Sequence, residues 1–278
     1  MRARAGSGTV AAIPEGHTIH RIAKDHTKLL VGRPVAVSSP QGRFQPSAAL
    51  VDGVVLDRIE PYGKHLFYSW ANGHVGHVHL GLFGRFRVHL GPEPPEPIGM
   101  VRMRMSTDAA TVDLSGPTAC EILTKAERNV IVARLGPDPL RRDAKPSVVV
   151  ERVQRSKQPI GAILLDQRVI SGLGNVYRAE ALFLNGIHPR RPGNELHAAE
   201  VEALWSTSVA MLRRGVKDNR IITVHHLEDD RPGRTRLTKR GTATYVYHRD
   251  RCVRCGTAVE TADLGGRPCY FCPVCQPA

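Results

Sequence analysis

Ile19, Ile22, Ala23, His26 and Leu30 recur at helical spacing behind Pro14, and predict an amphipathic helix over His17 to Leu30 that Gly32 and Pro34 end. From Val35 to about Asp113 the period shortens. VDGVVLDRIEPYG, KHLFYSWANG, HVGHVHLG, LFGRFRVHLG and MVRMRMS carry β-branched, aromatic or alternating positions cut by Gly, Pro and Asn, which predicts a twisted antiparallel sheet or sandwich of about six to eight strands. GPEPPEPIG is a loop, since prolines would break a ladder. Helical periodicity returns over Cys120 to Leu135, the proline-containing GPDPLRRDAKPS follows as a linker, and further helices are predicted at Ser147 to Arg155, Ile160 to Leu165, Asn175 to Asn185 and Ala198 to Arg214. SGLGN sets a glycine turn against a helix N-terminus. That geometry suits a backbone phosphate, or equally a generic packing turn.

Charge narrows the partners. The 278 residues carry a formal +13, with 39 basic against 26 acidic residues, which favours a polyanion: nucleic acid or an acidic membrane surface. Leu66 to Leu82 is broken by Asn72, His74, His77 and His79 and is no membrane span, and the opening MRARAGSGTVAAI lacks an apolar stretch of signal-peptide length. A soluble, intracellular protein is the expectation. Arg231, Arg234, Arg236, Lys239 and Arg240 form a basic ladder, as a solvated loop or a phosphate-facing surface, which follows the acidic run Glu228-Asp229-Asp230.

Five of the six cysteines crowd the C-terminus. Cys252-x-x-Cys255 and Cys272-x-x-Cys275 are two knuckles sixteen residues apart, each able to give two thiolates to one tetrahedral zinc. Val259, Leu264 and the pair Gly265-Gly266 between them suggest a small β-hairpin, too short to bury a core, so that zinc supplies folding energy. Four thiolates leave zinc no open position for water, hence a structural role and no hydrolytic one. Cys269 falls outside the paired spacing and reads as a free thiol or packing residue, and Cys120 as a small buried hydrophobe.

PEGHTIH at Pro14 to His20, Gly63-Lys64, HLGLFG at His79 to Gly84, DQRVISGLGNVYRAEALF at Asp166 to Phe183 and GGRPCYFCPVCQ at Gly265 to Gln276 occur in an order that resembles the formamidopyrimidine-DNA glycosylase and endonuclease VIII family. The resemblance implies an α+β fold: an N-terminal antiparallel β-sandwich with flanking helices, a C-terminal helix-two-turn-helix domain, and a zinc-bound β-hairpin. It divides the chain into an extension at 1–13, a catalytic β-rich domain at 14–135, a linker at 136–146, a DNA-binding domain with a basic loop at 147–244, and a zinc finger at 245–278. It implies that Pro14 is the nucleophile, Glu15 the adjacent acid, Lys64 a phosphate-binding lysine of the catalytic site, Asn175 part of a phosphate clamp, Arg267 the finger-tip arginine, and Leu82 the side chain that fills the space left by an everted nucleotide.

The expected activity is a bifunctional DNA glycosylase and abasic-site lyase. An N-terminal proline amine attacks the sugar C1′ to give an iminium, and β- and δ-elimination follow. PEGHTIH and HLGLFG point to the endonuclease VIII branch of actinobacteria, hence to oxidised pyrimidines, and Arg220 to Asp230 lacks a glycine-threonine lesion-capping loop. The implied partner is damaged DNA, duplex or locally single-stranded, bound by a monomer at the bacterial nucleoid, with one structural zinc and no organic cofactor or membrane. Thirteen residues precede Pro14, and while they remain its nitrogen is an amide. A start misplaced upstream, with Ile13 standing where the initiator methionine was installed, or proteolysis would expose it. If 1–13 are retained, the alternative is a non-catalytic protein that binds damaged or abasic DNA.

Overall fold

The computed structural model describes residues 14–224 and 243–278. The extension 1–13, the basic ladder, the acidic run and the last six residues of Arg220 to Asp230 lie outside the described residues.

Helix α1 (Gly16–Leu30) turns Ile19, Ala23, His26 and Leu30 inward. Eight strands follow: β1 (Pro34–Ser38), β2 (Val54–Tyr62), β3 (His65–Trp70), β4 (Val75–His79), β5 (Arg85–Leu90), β6 (Val101–Ser106), β7 (Ala110–Ser115) and β8 (Ala119–Leu123), with a short helix α2 (Gln45–Ala49) between β1 and β2. Their antiparallel order is β5-β7-β6-β1-β2-β3-β4-β8. Val37, Met105 and Leu114 from one half share a core with Leu56, Leu66, Tyr68 and Val78 from the other and with Ile19 and Leu30 of α1, so the sheet folds over as a sandwich. Each such side chain removed from water stabilises the fold by about 1.5–3 kcal/mol. The predicted helix over Cys120 to Leu135 needs correction: Ala119–Leu123 is β8, paired to β4, and only Lys125–Ala133 is helical, as α3. Thr124 starts it in a capping box with Glu127, a polar cap that propensity over the whole segment does not reveal.

The second half is helical: α4 (Pro146–Gln154), α5 (Ile160–Ile163), α6 (Asn175–Leu184) and α7 (Ala198–Asp218). The chain closes with the hairpin β9 (Glu260–Asp263) and β10 (Pro268–Phe271). Gly265 and Gly266, at φ 66° and 71°, form its two-residue turn, a conformation that costs other residues. The hairpin is not self-contained. Leu264, Cys269 and Phe271 join Leu182, Phe183 and Ile187 in one core, which settles Cys269 as a packing residue. Among the described residues no helix is long and apolar enough to cross a membrane.

Candidate active site

Pro14, Glu15, Lys64, Leu82, Asn175 and Arg267 come from separate stretches of the chain, yet all line one cleft of about 360 Å³ between the sandwich and the helices. Close backbone approach makes this possible. Gly16 N donates to Gly172 O at 2.8 Å, and a Cβ on Gly16 would sit 2.9 Å from the Gly172 Cα. Gly63 N, in the turn before Lys64, donates to Asp138 Oδ2 at 2.8 Å, and the same oxygen accepts from His20 Nε2 at 2.8 Å. Asp138 is almost fully buried, so the segment read as a linker is pinned beneath the site.

Glu15 is wholly buried, and its carboxylate accepts from the amides of Gly174 at 2.7 Å, Val176 at 2.9 Å and Tyr177 at 3.4 Å. The N-terminus of α6 therefore does hold an anion, but that anion is the protein's own carboxylate. Of the two readings of the SGLGN turn, phosphate site or packing turn, the bonds of these three amides to Glu15 favour the packing turn. Only glycine fits at 174, where a Cβ would lie 2.5 Å from the Glu15 Cδ. Burial pushes the Glu15 carboxyl above its usual range, opposed by Lys64 and the three amides. Burial pulls the Lys64 ammonium down, opposed by Glu15 and reinforced by Arg267. The two groups are thus drawn toward each other in proton affinity.

Arg267 is exposed at the hairpin turn, and the helix bundle grips the backbone under it. The buried Arg178 donates to Gly161 O at 2.7 Å, Leu264 O at 2.8 Å and Arg267 O at 3.1 Å, and also to Asn175 Oδ1. Asn175 Nδ2 in turn donates to Pro268 O at 3.0 Å, so this amide ties helix to hairpin at the cleft wall. Glu180, wholly buried, accepts from the amides of Tyr245, Val246 and Tyr247 at 2.7, 3.0 and 2.9 Å. Leu82 is 48% exposed at the opposite lip, followed by Phe83 at 79%.

The sulfur atoms of Cys252, Cys255, Cys272 and Cys275 lie within 4.8 Å of one another. Sγ separations of 3.9, 3.4 and 3.6 Å match the edge of a tetrahedron built on zinc–sulfur bonds, about 3.8 Å. Four thiol donors at this spacing fit a metal ion.

Comparison with known proteins gives this site a context. Residues 13–118 match the formamidopyrimidine-DNA glycosylase N-terminal domain and residues 135–226 the formamidopyrimidine-DNA glycosylase H2TH domain. The chain is 47% identical over 274 residues to Endonuclease 8 1 of Mycobacterium tuberculosis, a match spanning 95% of this chain and 100% of that protein. The chain belongs to the formamidopyrimidine-DNA glycosylase and endonuclease VIII family of DNA-repair glycosylases. Within that family it lies nearer the endonuclease VIII branch: identity to the formamidopyrimidine-DNA glycosylase of Bacillus cereus is 29% over 277 residues, with 95% and 99% of the two chains covered. The fold is that of the Lactococcus lactis formamidopyrimidine-DNA glycosylase solved non-covalently bound to DNA containing an AP site, with a TM-score of 0.76, 22% identity, and coverage of 95% of this chain and 100% of that one.

Sequence reading missed several members of this glycosylase's site. Arg178 and Glu180 carry a usable signal: two opposite charges inside an otherwise apolar stretch, NVYRAEALFL, mark a helix buried on all sides with its charges spent internally. Asp138 carries none, since what it faces is decided by chain segments far away.

Proposed function

We infer that this protein is a bifunctional DNA glycosylase and abasic-site lyase acting on oxidised bases, pyrimidines in particular, in the cytoplasm of an actinobacterium. The observation that carries the reading is the convergence of Pro14, Glu15, Lys64, Leu82, Asn175 and Arg267 on one cleft. Support for the actinobacterial source comes from the Mycobacterium relative, and support for the branch from the identity contrast above.

In this reading the Pro14 amine attacks the sugar C1′ as the bond to the damaged base breaks, giving an iminium. Glu15, buried and fixed by the α6 amides, exchanges the protons of ring opening. The iminium acidifies C2′: loss of a C2′ proton expels the 3′ phosphate, and loss of a C4′ proton from the conjugated iminium that results expels the 5′ phosphate. Lys64 and Arg267 hold the flanking phosphates, with the Asn175 side chain bracing the hairpin that carries Arg267. Leu82, exposed at the lip, enters the stack and offsets part of the unstacking cost. The four cysteines hold one structural zinc that stiffens the finger, and no organic cofactor is required. Residues 14–135 form the catalytic domain, 136–146 the linker, 147–244 the DNA-binding domain and 245–278 the finger, all in a monomer.

In this reading the lyase step requires a Pro14 amine free of residues 1–13. Intact-mass and N-terminal analysis, followed by borohydride trapping on DNA containing an abasic site or dihydrouracil, tests this. The expected result is a chain beginning at Pro14 that forms a covalent adduct. A Pro14-initiated chain that binds this DNA and gives no adduct overturns the lyase. An adduct formed with residues 1–13 in place excludes Pro14 as the nucleophile.

A further inference from the structure

Three histidines share the face of β3 and β4 turned away from the sandwich core, beside the cleft. β3 and β4 pair with His65 opposite His79 and Phe67 opposite His77, and β4 and β8 pair with His77 opposite Glu121. The two-residue period of a strand puts these side chains on one face, while Leu66, Tyr68 and Val78 point into the core. His79 lines the cleft. Its ring is 4.9 Å from that of His65, whose Nδ1 lies 2.9 Å from His77 Nε2. His77 Nδ1 lies 2.9 Å from Glu121 Oε1, so a hydrogen-bonded chain joins a half-exposed carboxylate to a ring packed on a cleft residue.

The chain has a direction. A carboxylate only accepts, so His77 carries its proton on Nδ1, its Nε2 accepts from His65 Nδ1, and a neutral His65 is left with its lone pair on Nε2. Burial, then His79, His77 and Lys64, pull His65 down to about 3, so the ring is neutral in the free protein at pH 7. The other charges packed against this face are Arg128 of α3, 5.3 Å from the Phe67 ring centroid, and Glu60 of β2, which pairs with Arg128 at 3.3 Å and with Arg58 at 2.6 Å.

We propose that Glu121, His77 and His65 form a charge relay that lets the cleft take up one proton from solvent when a DNA phosphate occupies it. The proton binds His65 Nε2. The positive charge then faces the phosphate past His79, and is stabilised from behind, through the His77 ring, by the Glu121 carboxylate. No electrons move and no other bond changes. Glu121, His77 and His65 are positioning residues here, acting through the cleft wall. The relay rests on the DNA-binding reading above.

The test is binding of the zinc-loaded protein to a duplex with a tetrahydrofuran abasic analogue, from pH 8 to pH 6, for wild type and Glu121→Gln, which keeps a hydrogen-bond partner without the charge. One proton taken up per complex raises affinity by up to about tenfold per pH unit as pH falls. Wild type therefore gains up to about a hundredfold more than E121Q over these two pH units, and calorimetry in buffers of different ionisation enthalpy counts about one more proton taken up. Equal pH dependence and proton uptake in the two proteins overturn the relay while leaving DNA binding intact. Absence of binding at every pH overturns the DNA-binding reading and the relay with it. Nitrogen NMR of the wild-type histidines gives a check that needs no variant: His77 protonated on Nε2 in the neutral form overturns the proposal.

Discussion

In the sandwich, Leu56, Leu66, Tyr68, Met105 and Leu114 are fully buried and most of the inward-facing residues are apolar; in the helical half, the fully buried residues include Arg178 and Glu180 as well as Tyr177 and Phe183. The sandwich has eight strands and a covering helix to share one apolar core. The C-terminal hairpin has two strands of four residues each and no such reserve, so it is fastened through specific polar contacts and a thiol cluster. The difference teaches where each half is vulnerable. Loss of one apolar group should weaken the sandwich as a whole, whereas loss of one fastening should release the hairpin and Arg267 with it.

Four perturbations would break or sharpen this contrast. The largest effect is expected from Cys272→Ser. A module that folds on about 10–16 kcal/mol of zinc binding loses its shape without the metal, so zinc content disappears and DNA affinity falls by roughly a hundredfold. Metal analysis with an anisotropy titration checks this, and a zinc-free variant that still binds DNA tightly refutes the structural role. Glu180→Ala follows. It strips the buried acceptor from three amides and should cost about 3–5 kcal/mol, read as lost hydrogen-exchange protection at Tyr245, Val246 and Tyr247. Unchanged protection there would mean that the segment leading into the cysteine cluster is held without these three bonds.

In the sandwich, Leu66→Ala should cost about 2–5 kcal/mol by leaving a cavity, and lower the melting temperature while zinc content stays as in wild type. A selective loss of zinc would show that the two halves are not energetically separate. The smallest effect is expected from pH. Burial lowers His26 to about 4 from an ordinary 6.5, and its Nδ1 lies 2.8 Å from the Tyr68 hydroxyl. A depressed folded value means that its contribution is complete above pH 6.5 and is lost as pH falls through about 4, up to about 3 kcal/mol. His26→Gln should flatten that part of the pH–stability curve measured by urea unfolding, and a curve as steep as wild type would acquit His26.

Much of this was legible along the chain. The helix behind Pro14, the strand-rich stretch, the cysteine knuckles and the glycine turn between them are local patterns, and a local pattern survives reading one residue at a time. The boundary between β8 and α3 was not, because Ala119–Leu123 is a strand only by pairing with β4, and sheet propensity depends on that partner. The SGLGN turn shows the same limit in the site. Its glycines announce a close approach, yet what approaches is Glu15, some 159 residues away in the chain.

By itself the sequence determined the period of most elements, the four thiols that suit a metal, and the residue types that later meet in the cleft. The tertiary structure alone decided that Glu15 fills the helix N-terminus, that Arg178 grips the turn beneath Arg267, and that His77 links His65 to Glu121. The physical reason is range. Hydrogen bonding and burial act over a few ångströms in space, and only the folded chain brings residues so distant in sequence within that reach.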